Sequence, residues 1–108
     1  MTQETATLFL LDELSRETKR PVQLNDFLSY VRLALQMNAL RNQDAEGLRW
    51  SDASDLFALL HDLEAEGSVL RRPRGFVMTP KGRRRARTLR KGLPLDVLRD
   101  VEEAAKVA

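Results

Sequence analysis

The sequence predicts a mainly α-helical fold carrying one small β-hairpin, and three observations support that prediction. Apolar residues recur at helical spacing over most of the 108 residues. The period changes once, between Ser68 and Thr79, where two short runs flank a Pro-Arg-Gly turn. Helix punctuation surrounds that change: Gly67 and Gly92 stand where helices should stop, and Thr79-Pro80 stands where one should start.

A first helix is expected over about Gln3–Lys19. Ala6, Leu10 and Leu14 fall at i, i+4 and i+8, with Leu8 and Leu11 beside them. Pro21 ends it, because proline has no N–H to donate and crowds the turn before it. A second helix is expected over about Leu24–Leu40. Leu24, Phe27, Leu28, Val31 and Leu35 form one stripe, and Tyr30, Leu33, Met37 and Leu40 form another. Apolar residues on more than one face mark this as the expected central helix. Asn42–Gly47 (NQDAEG) then breaks the pattern and reads as a polar loop, with Trp50 packing that loop onto the core.

In the third helix, Ser51 is the expected cap, and Asp52 and Asp55 sit near the positive end. Ala53, Leu56, Phe57, Leu60 and Leu63 make one narrow stripe, and Gly67 suits the left-handed position that ends such a helix. Ser68–Arg72 and Gly75–Thr79 read as strands. Arg72-Pro73-Arg74-Gly75 suits a type I turn, with proline second and glycine fourth. Thr79 is an N-cap candidate, Pro80 fits the first helical position, and a fourth helix should run from Pro80 to Lys91. Leu93-Pro94 opens a fifth, to about Val107. Three helices, a tight hairpin and further helices predict a winged helix-turn-helix with extra N- and C-terminal helices. Its domain is expected over residues 1–93, and residues 94–108 form a C-terminal helix serving dimerisation.

A chain of this length is one domain by size and can bury roughly two-thirds of its unfolded surface. It has no cysteine, which excludes disulfide scaffolds, thiol catalysis and cysteine-bearing zinc sites, and fits a reducing cytoplasm. The longest wholly apolar run is Leu56–Leu60, far short of the ~20 residues of a membrane span. The N-terminal MTQETATLFLL has no positive leader or cleavage site. The expectation is a cytoplasmic protein without membrane contact.

The net charge of +2 hides an asymmetry. Residues 1–70 carry six Lys/Arg and twelve Asp/Glu, residues 71–91 carry ten and none, and residues 92–108 carry two and four. A basic block inside an acidic chain points to a polyanionic partner, because Lys/Arg that neutralise phosphates release counterions from nucleic acid. The alternative is a solvated helix face.

From Leu56 to Arg87, LFALLHDLEAEGSVLRRPRGFVMTPKGRRRAR resembles the core of winged helix-turn-helix transcription regulators, especially the MarR-like and PadR-like groups. The resemblance lies in the phrase Leu63-Glu64-Ala65-Glu66-Gly67 at the end of a recognition helix. It continues through a strand, a wing and a second strand into Met78-Thr79-Pro80-Lys81-Gly82-Arg83. It covers about a third of the chain. It implies binding of double-stranded DNA, usually as a homodimer, with the third helix in the major groove and the wing on the backbone or minor groove.

Helical geometry assigns the candidate contacts. On the third helix Asp52, Asp55, Asp62 and Glu66 share one face, which repels phosphates. If this helix reads bases, it does so through Ser51, Ser54 and His61; the alternative is that the serines serve the helix start and His61 is an ordinary surface residue. On the fourth, Ala86, Leu89 and Leu93 make the buried stripe, and Arg83, Arg84, Arg87 and Lys91 point away from it, with Lys81 at the edge. Arg85 and Arg90 flank the stripe and snorkel or pair with acids of the third helix. With Arg71, Arg72 and Arg74 of the wing, the set Lys81, Arg83, Arg84, Arg87 and Lys91 is assigned to phosphates, contacts that position a protein without reading sequence. On the fifth helix Val97, Leu98, Val101, Ala104 and Ala105 form an apolar face that either folds back on its own domain or pairs with a second copy, and the second is the preferred expectation.

The leading expectation is a dimeric DNA-binding regulator of the repressor type. The alternatives are a winged-helix protein-interaction module, or a nonspecific nucleic-acid binder in chromosome organisation, segregation or viral genome handling. No enzyme, metal or cofactor is expected: one histidine, no cysteine and no Gly-rich phosphate loop leave no nucleophile–base pair.

Overall fold

The computed structural model describes residues 3–36 and 53–107. Among these, five helices run in the order α1 (Gln3–Thr18), α2 (Leu24–Gln36), α3 (Ala53–Ala65), α4 (Pro80–Lys91) and α5 (Leu95–Val107). Between α3 and α4 lies one antiparallel hairpin, β1 (Val69–Arg72) and β2 (Gly75–Met78). The mainly helical fold with a small hairpin is the one the sequence predicts. The polar loop at Asn42–Gly47, Trp50, Ser51, and the stretch of the second helix through Met37 and Leu40 lie outside the described residues.

The centre is α1, not α2. Every residue from Ala6 to Leu14 is buried, and α2, α3, α4, α5 and β2 all pack against this helix. Over this stretch the helix is enclosed, so apolar residues such as the LFLL run occupy more than one of its faces. By contrast α2 leaves Asn25, Asp26, Ser29 and Arg32 exposed on one side and buries Phe27, Tyr30, Val31 and Ala34.

Local signals set the ends. Gly67, at φ +84°, closes α3 in a Schellman arrangement: Ser68 N–H donates to the Leu63 carbonyl at 2.9 Å and Gly67 N–H to that of Glu64 at 3.0 Å. The hairpin pairs Val69 with Met78 and Arg72 with Gly75, leaving Pro73-Arg74 as its two-residue loop. Val22, between α1 and α2, adds an isolated antiparallel bridge to Phe76, with N–H···O distances of 2.9 and 2.8 Å. Gly75 (φ +137°) is required there, since a β-carbon would stand 2.5 Å from the Val22 carbonyl oxygen. Thr79 caps α4 as expected: its hydroxyl accepts from Gly82 N–H at 3.0 Å, and Pro80 takes the first helical position.

Pro94 turns the chain back so that α5 lies across α1 and α2. Val97, Val101, Ala104 and Ala105 are buried there and Leu98 packs at the margin. Of the two expectations for this face, folding back is the one seen: it packs on α1 and α2 of the same chain. One core cluster holds residues from both sides of position 93, including Val97 and Val101 of α5. No helix among the described residues is long and apolar enough to cross a membrane.

Candidate nucleic-acid interface

Alternation along β1 sends Arg71 and Arg72 to opposite faces of the hairpin. Arg71 turns towards α3, where its guanidinium lies 5.0 Å from the Phe57 ring centroid and its backbone N–H donates to Glu64 Oε2 at 3.0 Å. Such a stack contributes about 0.5–1 kcal/mol at an exposed site. Arg72 and Arg74 are exposed at the hairpin end.

The arginine-rich α4 divides into two flanks and a crest. On one flank Arg85 pairs with the Glu66 carboxylate and donates to Ser68 Oγ at 2.9 Å. On the same flank Lys81 Nζ donates to the Glu66 carbonyl at 2.6 Å, capping the negative end of α3. On the other flank Arg90 bridges Glu13 of α1 and Glu102 of α5, the latter at 2.8 Å. The flanking position expected for these two arginines is observed; Arg85 meets an acid just past α3, but the partners of Arg90 come from α1 and α5. Between the flanks Arg84, Arg87 and Lys91 form an exposed crest. Among the described residues, none of Arg71, Arg72, Arg74, Lys81, Arg83, Arg84, Arg87 and Lys91 forms a salt bridge with a carboxylate. They do not share one flat face: Arg71 and Lys81 are drawn towards α3, Arg83 towards α1, and the crest faces solvent.

Sequence reasoning missed a second group of cations. Arg83 lines an open concavity of about 490 Å³ together with Ser15, Arg16, Lys19, Arg20, Pro21 and Val77. Arg20 and Pro21 continue into a neighbouring concavity that reaches Arg74 at the hairpin loop, along with Gln23 and Asp26. Arg16, Lys19 and Arg20 belong to the segment whose overall balance is acidic, so a charge count by segment hid them. Their i, i+3, i+4 spacing, which gathers side chains on one side of a helix end, was the available signal.

Beneath this edge lies Asp12, 1% exposed, held by Arg16 Nε at 3.1 Å through Oδ2. Its Oδ1 has no hydrogen-bond partner. Burial raises its pKa above the ordinary 3.8, against the opposing pull of Arg16, Arg83, Arg90 and Arg87.

Of the base-reading candidates, Ser51 lies outside the described residues. Ser54 falls in the first turn of α3, its side chain outside the described part. His61 is exposed, one helical turn beyond Phe57 and its Arg71 stack, and Asp62 beside it is exposed too. The described residues contain no group of three or more His, Asp or Glu able to hold a metal. No family model, curated protein or solved structure matches the chain.

Proposed function

We propose that the protein binds double-stranded DNA as a winged-helix regulator of the repressor type, gripping the sugar-phosphate backbone with the hairpin and α4. The observation that carries the reading is that the eight cations are exposed and, among the described residues, free of salt bridges, whereas Arg16, Arg85 and Arg90 are neutralised by carboxylates. Cations left open where acids are plentiful favour an external anion. The Val22–Phe76 bridge adds support. It makes the order helix, strand, helix, helix, strand, strand, which is the order of a winged helix. In that frame α3 is the recognition helix, and His61 and Ser54 are its candidate base contacts.

A second reading, a nonspecific nucleic-acid binder, is favoured by one observation: α3 carries no Lys or Arg and exposes Asp62, so the helix that would read bases offers them little. Gel-shift titration of random and selected duplexes across salt separates the two. A regulator prefers some sequence strongly. A nonspecific binder shows only a steep salt slope, near −0.9 per phosphate neutralised. Absence of any duplex binding at low salt ends both and leaves the interaction module. A regulatory homodimer would need a surface other than the buried face of α5; sedimentation with and without duplex reads the stoichiometry.

A further inference from the structure

We infer that the concavity between the end of α1, β2 and the start of α4 is a seat for a DNA backbone phosphate, formed by Lys19, Arg20 and Arg83 with Arg16 behind them. The inference rests on the DNA-binding reading and extends it to residues outside the basic block.

Three features lead there. First, four cations from two parts of the chain, the end of α1 and the start of α4, line one concavity with no carboxylate among its lining residues, and among the described residues only Arg16 has an acid partner, Asp12. Like charges held together in a cleft repel one another unless an anion joins them, and a cleft lined by one sign of charge concentrates its field on that anion. Second, Lys19 sits at φ +56°, the left-handed conformation that helix ends usually give to glycine. For a residue with a β-carbon this costs roughly 1–2 kcal/mol. The position therefore carries a lysine where a glycine would fit the backbone better, and what the lysine adds is its ammonium group beside Arg16 and Arg20. Third, the volume of about 490 Å³ is many times the ~30 Å³ of one water, so a phosphate fits with its hydration. The adjoining concavity shares Arg20 and reaches Arg74 at the hairpin loop, with Asp26 as the one carboxylate on its lining.

The test uses the double variant Lys19→Gly/Arg20→Gln, in which glycine keeps the left-handed backbone, and a control, Arg99→Gln/Lys106→Gln, which removes the same charge from exposed positions of α5. Binding of a random-sequence duplex is measured over a salt series, with thermal unfolding as the check on folding. The expected result is a salt slope shallower by about 1–2 in the first variant, with an affinity loss of roughly tenfold, and little change in the control. Should Lys19→Gly disturb the fold, Arg20→Gln alone is expected to reduce the slope by about 1.

An unchanged slope in the first variant, or an equal loss in the control, overturns the seat while leaving the DNA-binding reading intact. No duplex binding by the unaltered protein overturns that reading and the seat with it. Inorganic phosphate titrated against the amide resonances of Ser15–Val22 separates the sources: shifts there, together with duplex binding indifferent to the variant, assign the concavity to a free phosphate and overturn the backbone assignment.

Discussion

The backbone of Gly82 presses on the carbonyl of Ser68: a β-carbon built on Gly82 would stand 2.0 Å from that oxygen and 2.9 Å from the carbonyl carbon. The first turn of α4 can lie against the α3–β1 junction only because position 82 has no side chain. Thr79 bonds the same junction, with its hydroxyl 2.6 Å from the Gly67 carbonyl and 3.0 Å from that of Ser68. Gly82→Ala gains about 1 kcal/mol of helix propensity. The clash with rigid backbone outweighs it, so a net loss of about 2 kcal/mol is expected. Thermal unfolding of the variant should show a midpoint lower by roughly 10 °C.

The two kinds of arginine on α4 should separate by stability. Arg90 faces Glu13, which is buried at 5% exposure, so Arg90→Met strands a carboxylate in the core. Removing a partner from a fully buried pair costs ~3–5 kcal/mol, and about 2–3 is expected here because the guanidinium keeps 26% exposure. Arg87 is exposed and forms no salt bridge among the described residues, so Arg87→Ala should change stability by less than about 0.5 kcal/mol. Urea titration of both variants measures the contrast.

Asp12 should make the fold less stable as pH rises out of the acid range. Its folded pKa is raised by burial, so between 3.8 and that raised value the folded state holds more protons than the unfolded chain. Stability is then greatest below the unfolded value and is lost as pH climbs through the folded one. Asp12→Asn keeps an acceptor for Arg16 and removes the titration. The stability of the variant relative to the unaltered protein should grow with pH across this window and level off above it. Chemical unfolding at a series of pH values reads that difference.

Phosphate grip and base reading should divide by residue. Arg83→Ala with Arg84→Ala is expected to weaken all duplexes alike and to make the salt slope shallower by about 2. Changes at Ser54 and His61 should alter preference among duplexes with little effect on the slope. Equal loss of preference from both pairs in a competitive selection would reject the division.

The fold was readable where one local signal decided one local structure. Gly67, Thr79-Pro80 and the hairpin around Pro73 act through their own backbone or that of near neighbours, so sequence alone located them. What sequence did not reveal is settled across the chain. That α1 rather than α2 is enclosed depends on α4 and α5, which begin more than 60 positions further along the chain. The apolar face of α5 looked open because the residues that cover it, on α1 and α2, carry no mark of doing so. The same distance hid Arg16, Lys19 and Arg20: only folding brings them beside Arg83. Val22 was invisible as a sheet residue because a single bridge leaves no alternating pattern.

The enclosure of α1 also bears on how the chain is made. The helix that every other helix needs is synthesised first, and the last of its neighbours, α5, is synthesised at the end of the described residues. At roughly 5–20 residues per second, the wait on the ribosome is on the order of ten seconds. Through that interval the nascent LFLL segment lacks part of the packing that buries it in the finished fold.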